Sequence, residues 1–423
     1  MSTDARTRRH CDRRPLNCDE VFESLIPAAL DSHGELAARG VEYKQLPPLS
    51  FDVEGRVASL VDRNGRLELE EGTLPGAVMA SLNEGALSDL VQDWTTTMGL
   101  AMKSRARLTQ GEFGDWVGWE PILRALFDGR PVHEAGAIDF KDRDERPLEI
   151  DRSFRLDDDH EEIAHFLSQA GYLHIQDVFS PEEMAAVSTD LDDALLRARP
   201  EDGASWWAGN AEGDQQAVRI LFFQEQSEAL RTLLADERLQ WLGGLTGDRY
   251  RSVSTGAPLE AEGLVKPLDI KTGLSDLPWH KDCGQGGHSY RCSGLTVGIS
   301  VTGADAQSGA LGVVPGSHRA NVQTSGKDDS LDMSSLKLTT RTGDLTVHCS
   351  DTLHRAHKPT SQPRQVVYTS FQLDLKPGDT VEEVSLEATR SARARLTNAQ
   401  DRIAAAGAGA ESSEFVDLRD EAH

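Results

Sequence analysis

From residue 262 onward the apolar pattern repeats every two residues. Leu295, Val297, Ile299 and Val301 alternate with Thr296, Gly298, Ser300 and Thr302, and the run from Gln365 to Leu373 alternates in the same way. Glycine and proline punctuate the interval at Gly303, Gly309, Gly312, Pro315, Gly316 and Gly343. Successive strand side chains point to opposite faces, so the pattern describes short strands, each burying one face and turning back on its neighbour. It points to an antiparallel sandwich or barrel.

Upstream the period is helical. Ile163 to Ala170 reads as a helix broken by Gly171, and Tyr172 to Val178 reads as a strand. Ser180-Pro181-Glu182-Glu183 is a strong helix start, with Ser as N-cap, Pro at the first helical position and Glu three after the cap. Ser227 to Leu242 carries a second stripe at Leu230, Leu233, Leu234 and Leu239. Further forward, Val21 to Leu36 reads as a helix. Strands are expected around Leu49–Val53, Val57–Val61 and Leu67–Leu69, with an Asn64-Gly65 hairpin turn between the last two. Leu87–Thr97 and Pro121–Asp128 read as helices. The charged bridge from Lys141 to Arg146 suggests a boundary near 145. The expected organisation is a basic, disordered tail (1–18), a smaller α+β domain (19–145), a β-rich domain with flanking helices (146–378) and a helical or disordered tail (379–423).

The chain has 423 residues, enough for two or three domains, and a formal charge of −26. Such a balance repels phosphate backbones, so no nucleic-acid partner is expected. No apolar run is long enough to span a bilayer, and no apolar segment follows the basic start as a secretory signal requires. Five cysteines, Cys11, Cys18, Cys283, Cys292 and Cys349, are odd in number and scattered. They read as reduced thiols, and the expected location is cytoplasmic. Cys11 and Cys18 find no second Cys/His pair at zinc spacing.

The chemistry concentrates in Trp279-His280-Lys281-Asp282. On an extended strand, residues i and i+2 face the same side, so His280 and Asp282 aim an imidazole and a carboxylate at one point. A second histidine from a distant strand completes a two-His-one-carboxylate face with open positions, the arrangement of non-haem Fe(II) oxygenases. Downstream, the segment from Gly343-Asp344 to His354 offers such a strand. Arg364 opens the next one, where a fixed guanidinium suits a dicarboxylate.

These pieces, in order, resemble the phytanoyl-CoA dioxygenase family of Fe(II)/2-oxoglutarate oxygenases over residues of about 160–375. Phe166 to Tyr172 and Val178 to Glu183 look like the family's opening, and Trp279-His280-Lys281-Asp282 matches its His-x-Asp. Ser308-Gly309-Ala310-Leu311 with Val314-Pro315-Gly316-Ser317-His318-Arg319 matches its connecting segment. Gly343-Asp344 to His354, then Arg364, matches its distal half. The resemblance implies a double-stranded β-helix, or jelly roll, within an α+β chain. It implies His280, Asp282 and His354 as iron ligands and Arg364 as the partner of the distal carboxylate of 2-oxoglutarate, with O2 as co-substrate. His348 and His357 compete with His354, which the family spacing favours; His348 reads as packing or support. His318 is expected to make a structural hydrogen bond, and His288 to be exposed or to touch substrate. Many family members carry a hydroxyl two residues after the distal histidine; here that position is Ala356, and Thr296 is the candidate replacement.

The retained acid at Asp282 favours hydroxylation of an unactivated C–H, with release of succinate and CO2. Desaturation, cyclisation or epimerisation at the same centre stays open, as does a non-catalytic lipid carrier with a vestigial barrel. The expected partner is a small-molecule substrate, lipid-like or a secondary metabolite; the oligomeric state is open. Residues of about 20–135 resemble sterol-carrier-protein-like domains, with Arg66–Gly72 and Ala77–Leu82 as their strand pair and the stretch from Leu100 to Leu108 as a later helix-to-strand passage. The other reading of this region is a structural or dimerisation unit whose Trp94, Met98 and Met102 fill a core.

Overall fold

The Asn64-Gly65 pair sets the front of the molecule. Both residues take left-handed backbone (φ 56° and 83°), the conformation a two-residue hairpin between right-twisted strands requires. In the computed structural model, which describes residues 13–200, 202–246, 250–252, 261–272, 277–285, 287–289, 292 and 294–373, this hairpin joins β2 (Arg56–Arg63) to β3 (Arg66–Glu71). With β1 (Leu49–Val53), β4 (Val78–Leu82) and β5 (Ala106–Gln110) they form a sheet of order β3-β2-β1-β4-β5, in which only β1 and β4 run parallel. The strands Arg66–Glu71 and Val78–Leu82, expected as a pair, are therefore separated by β2 and β1.

Helix α1 (Ile26–Lys44), entered through a π-helical turn at Glu20–Leu25, packs on this sheet. The stretch expected as one helix over 87–97 is instead divided into α2 (Glu84–Val91) and α3 (Thr97–Met102). Thr95, Thr96 and Thr97 explain the break: hydroxyl side chains cap helices better than they extend them. Thr96 accepts the Gly99 N–H at 2.8 Å. Helices α4 (Phe113–Gly118) and α5 (Glu120–Asp128) complete the front, whose core holds Phe51, Leu60, Met98, Trp116 and Trp119. Residues 13–18, expected in a solvated tail, are docked: Arg13 forks onto Asp89 at 2.6 and 2.7 Å, and Cys18 is buried.

Residues 129–159 cross to the second region without a helix or extended strand. There, α6 (His160–Ala170) leads through β6 (Tyr172–Ile175) to α7 (Pro181–Arg197), whose Ser180–Glu183 capping box forms as the residue pattern predicts. After β7 (Ser205–Asn210) and β8 (Gln215–Ile220), the helix expected over 227–242 is shortened to α8 (Glu228–Leu234) and α9 (Glu237–Gln240). Asp236 starts α9 by accepting the Arg238 N–H at 2.8 Å.

The remaining strands are β9 (Tyr250–Ser252), β10 (Ala261–Lys266), β11 (Ile270–Thr272), β12 (Leu277–His280), β13 (Leu295–Ile299), β14 (Leu311–Val313), β15 (Leu336–Leu338), β16 (Leu345–Cys349), β17 (His354–Ala356) and β18 (Arg364–Leu373). They fall into a large sheet of order β11-β7-β8-β10-β18-β13-β16-β6 and a small sheet of order β12-β17-β14-β15. The chain passes between the sheets from β10 to β12, β13 and β14, and from β15 to β16, β17 and β18. Two interleaved sheets of this connectivity are a double-stranded β-helix.

Register separates the two faces of the large sheet. Leu295, Val297, Ile299, Val347, Val367 and Phe371 are buried in one cluster with Phe166, Leu167, Val187 and Leu191 of α6 and α7. The opposite face is polar. Thr296 lies beside His348 on one side and Ser370 on the other, and the even-numbered residues of β18 carry that face along to Arg364, which pairs with Lys266. Gly343 (φ 89°) closes the turn before β16, where a Cβ would stand 1.9 Å from the Phe179 carbonyl oxygen.

The front region meets the jelly roll through an ion pair of Lys44 with Asp328, through Thr96 donating to the Gly284 carbonyl at 2.5 Å, and through Asp93 accepting the Ser289 N–H at 2.8 Å. The C-terminal tail, expected to be helical or disordered, lies outside the described residues. Among the described residues no helix is long and apolar enough to cross a membrane.

Candidate active site

His280 ends β12 and His354 begins β17, and the two are register partners in the small sheet. Their ring centroids are 4.2 Å apart. Asp282 follows His280 by two residues, so one short segment and one neighbouring strand deliver all three groups. One ligand atom from each of His280, Asp282 and His354 lies within 4.8 Å of the other two. His280 Nε2 is 3.2 Å and His354 Nε2 3.4 Å from Asp282 Oδ1.

The far side of each ring settles its proton. His280 Nδ1 is 2.8 Å from the Pro278 carbonyl, and His354 Nδ1 is 2.9 Å from the Thr352 carbonyl. A carbonyl only accepts, so each Nδ1 carries the hydrogen and each Nε2 presents a lone pair in the neutral ring. Two nitrogen lone pairs and a carboxylate oxygen converging on one point repel one another unless a cation lies between them. Two imidazoles and one carboxylate on one face suit Fe(II).

The second Asp282 oxygen is also held. Thr296 donates its hydroxyl to Oδ2 at 2.8 Å, and His348 Nε2 lies 3.4 Å from the same oxygen. Thr296 and His348 are register partners on β13 and β16, which explains why both reach one atom. The Thr296 proton is committed to Asp282 and its lone pairs remain. His348 is buried, has its ring centroid 4.1 Å from that of His354 at a 45° tilt, and stands outside the three-ligand group. Burial pushes the Asp282 carboxyl up, but the polar groups packed around it hold it well below the usual carboxylate range. Its side chain remains 35% accessible, against 11% for His280 and 7% for His354, so the cluster is open on the carboxylate side.

Arg364 lies on the same polar sheet face, is 4% exposed, and has both Nε and Nη2 buried without a hydrogen-bond partner. A buried guanidinium with open donors is costly and fits a carboxylate that arrives with a ligand. Lys266, beside it across the β10–β18 ladder, donates to the His357 carbonyl at 2.7 Å. The His357 ring itself is pushed down to about 4, by burial first and then by Arg355, Lys337, Lys266 and Arg364. The residue pattern did not single out Lys266, because its significance arises only from its register with Arg364.

Other motif residues have structural partners. His318 bonds the Ser168 carbonyl at 3.0 Å, as its place in the turn suggested. The Asp344 carboxylate is occupied by His174 at 2.9 Å and by the N–H groups of Asp177 and Arg341. Lys281 is fully buried and donates to the Ser317 and Ala320 carbonyls, which anchors the segment between His280 and Asp282. Trp206 is buried under the Arg219 guanidinium, 4.4 Å from its ring.

His288 is half-buried and gathers with Cys283 and Cys292 in a second three-ligand group. The spacing of these three residues gave no familiar motif, and reading the cysteines as scattered missed their convergence. The Cys292 thiol is pulled down to about 6, chiefly by its hydrogen bond with Cys283 and against the effect of burial, and His288 is raised to about 9 despite burial by its proximity to Cys292.

A comparison with curated proteins finds no match. Among solved structures, the chain is similar to the epimerase SnoN in complex with Fe3+, alpha ketoglutarate and nogalamycin RO, at 20% identity and a TM-score of 0.40, covering 53% of this chain and 93% of that one. It is similar to EctD from S. alaskensis in its apoform at 20% identity and a TM-score of 0.43, covering 54% and 82%. It is also similar to the carbocyclase SnoK from nogalamycin biosynthesis, at 22% identity and a TM-score of 0.40, covering 53% and 88%. The family described as Phytanoyl-CoA dioxygenase (PhyH) matches residues 167–366, from the end of α6 into β18, and leaves the front sheet outside. The jelly roll of this chain, with the His280–Asp282–His354 cluster inside it, is thus a domain of the phytanoyl-CoA dioxygenase family.

Proposed function

We propose that the protein is an Fe(II)- and 2-oxoglutarate-dependent dioxygenase that hydroxylates an unactivated C–H of a small-molecule substrate. The observation that carries this reading is the pairing of two features on one side of the jelly roll: three converging metal-ligand atoms, and the buried, open guanidinium of Arg364. His280, Asp282 and His354 would hold the iron, and Arg364 would take the distal carboxylate of 2-oxoglutarate. When bound, this pair supplies O2 activation coupled to decarboxylation of 2-oxoglutarate to succinate and CO2.

The protein's own residues do the positioning. The Pro278 and Thr352 carbonyls hold Nδ1 of each imidazole and so turn Nε2 toward the centre, and Thr296 and His348 keep the carboxylate turned toward them. The opening on the Asp282 side leaves room for a substrate, and the apolar sheet face against α6 and α7 keeps the scaffold rigid. The retained carboxylate favours oxygen transfer. The position of the substrate C–H decides between hydroxylation and desaturation, cyclisation or epimerisation, because the ligand set serves all four. A lipid-like substrate and a cytoplasmic location complete the proposal; the free thiols of the described cysteines suit a reducing compartment.

The test is anaerobic addition of Fe(II) and 2-oxoglutarate to the metal-free protein. The expected result is a weak visible charge-transfer band that His280→Ala abolishes. No band, together with no succinate across a metabolite screen, would sink the assignment. Mass spectrometry of the product then reads the reaction type: gain of one oxygen for hydroxylation, loss of two hydrogens for desaturation.

A further inference from the structure

We propose that Cys283, His288 and Cys292 form a second metal site, one that organises its loop and takes a thiophilic divalent cation of the zinc class. One ligand atom from each of the three lies within 4.8 Å of the others. Ligands around a tetrahedral zinc stand about 3.5–3.8 Å apart, given bond lengths of about 2.3 Å to sulfur and 2.0–2.1 Å to nitrogen. Closing the cluster on an ion therefore takes about 1 Å of movement at most.

The surroundings are built for sulfur ligands. The Gly294 N–H donates to Cys292 Sγ at 3.3 Å, a bond that favours the thiolate over the thiol. The Cys292 N–H donates to Asp351 Oδ2 at 3.0 Å, while Asp351 Oδ1 is buried with no partner. His288 Nε2 is likewise buried with no partner. The Asp351 carboxylate beside two sulfurs makes a negative pocket that a dication offsets, with Cys283, His288 and Cys292 as its ligands. The donors also divide the two centres. Thiolates select zinc, whereas the imidazole and carboxylate face of His280, Asp282 and His354 suits a harder ion with open positions. This second site stands whether or not the first holds iron.

Its place in the chain gives it a purpose. Cys283 directly follows Asp282, and Cys292 lies four residues before Thr296, whose hydroxyl holds Asp282. The intervening loop turns back where the Gly287 N–H donates to the Cys283 carbonyl at 2.8 Å. On its outer side the front region grips it through Thr96 on Gly284 and Asp93 on Ser289. A metal at the cluster ties both ends of this loop together and so fixes Asp282 and Thr296 relative to each other.

The test uses the full chain purified under reducing conditions without chelator. Metal analysis should find about one zinc per chain, retained in His280→Ala and lost in the Cys283→Ser/Cys292→Ser double variant. Titration of metal-free wild-type protein with Co(II) supplies a readout that needs no variant to fold. A thiolate-to-cobalt charge-transfer band with the visible bands of a tetrahedral ion is expected, and His280→Ala should leave them unchanged. The proposal is overturned if wild-type protein binds neither Zn(II) nor Co(II) with a thiolate band. It is equally overturned if the double variant retains the zinc, or if alkylation and mass spectrometry find Cys283 and Cys292 joined as a disulfide in the reduced preparation.

Discussion

Two ligand clusters share the short segment from His280 to Cys292, the first reaching out of it to His354, and are built in opposite ways. His280, Asp282 and His354 come from the strands of the small sheet and the residue just beyond one of them, with each imidazole locked by a backbone carbonyl and the carboxylate partly open. Cys283, His288 and Cys292 come from one glycine-rich loop pressed between the jelly roll and the front region, with no strand among them. The first keeps hard and borderline donors on one face and leaves room for chemistry. The second brings two soft sulfur donors and one imidazole together on a loop. Rigid strands suit a centre that must hold substrate geometry, whereas a loop suits an ion that organises the loop itself.

The largest effect should come from the strand cluster. His354→Ala should weaken Fe(II) binding by more than about a hundredfold, read from loss of the anaerobic charge-transfer band, while leaving the cobalt–thiolate signature intact. If both signals vanish together, the two centres are not separable. The loop cluster should speak through stability. Cys283→Ser/Cys292→Ser should lower the melting temperature by roughly 5–10 °C, and chelation of wild-type protein should reproduce the shift. An unchanged melt would remove the structural role.

Arg364→Ala should raise the KM for 2-oxoglutarate roughly 10–100-fold without changing metal content. Arg364→Lys should recover part of that loss, since it keeps the charge but not the fork. Thr296→Val removes one hydrogen bond to a charged group and should cost about tenfold in Fe(II) affinity. Metal titration would show it, with zinc content unaltered. A loss of zinc in that variant would mean the two clusters share more than a loop.

The smallest effect belongs to His357, a histidine outside both clusters. Its folded value near 4 lies below the ordinary 6.5, so the folded state binds fewer protons than the unfolded chain between these values. Its contribution to stability is therefore present above pH 6.5 and lost as pH falls toward 4. Urea melts of His357→Gln against wild type across this window should show a flatter dependence in the variant. A parallel dependence would mean that the surrounding cations do not act on His357.

Much of the strand cluster was legible because it is periodic. Period-two alternation in Leu295–Val301 and Gln365–Leu373 places Thr296 and Arg364 on a face by parity alone, whereas the strand expected through His280 and Asp282 ends at His280, and a turn brings Asp282 to the same point. The capping box at Ser180 and the Asn64-Gly65 turn are local chemistry, so they too read directly. Elements decided by neighbours did not. The helix expected over 87–97 broke at a threonine run, where capping won over propagation. The strands at 66–71 and 78–82 were neighbours in order but not in the sheet, since β1 entered between them. The loop cluster was invisible because Cys283, His288 and Cys292 have no fixed period, and only the fold of the loop turns their side chains inward.

By itself, the sequence determined the repeat, the turns, the excess of negative charge and the order of the residues that carry iron chemistry, all properties of local stereochemistry and composition. Tertiary structure decided which histidine meets Asp282 and how His348 and Thr296 share its second oxygen. It also decided that the buried Arg364 has donors to spare, and that two distant-seeming cysteines converge. The physical reason is that register and burial are set by pairing across the chain. A side chain's neighbours, its free lone pairs and its unpaired donors exist only once the strands have closed.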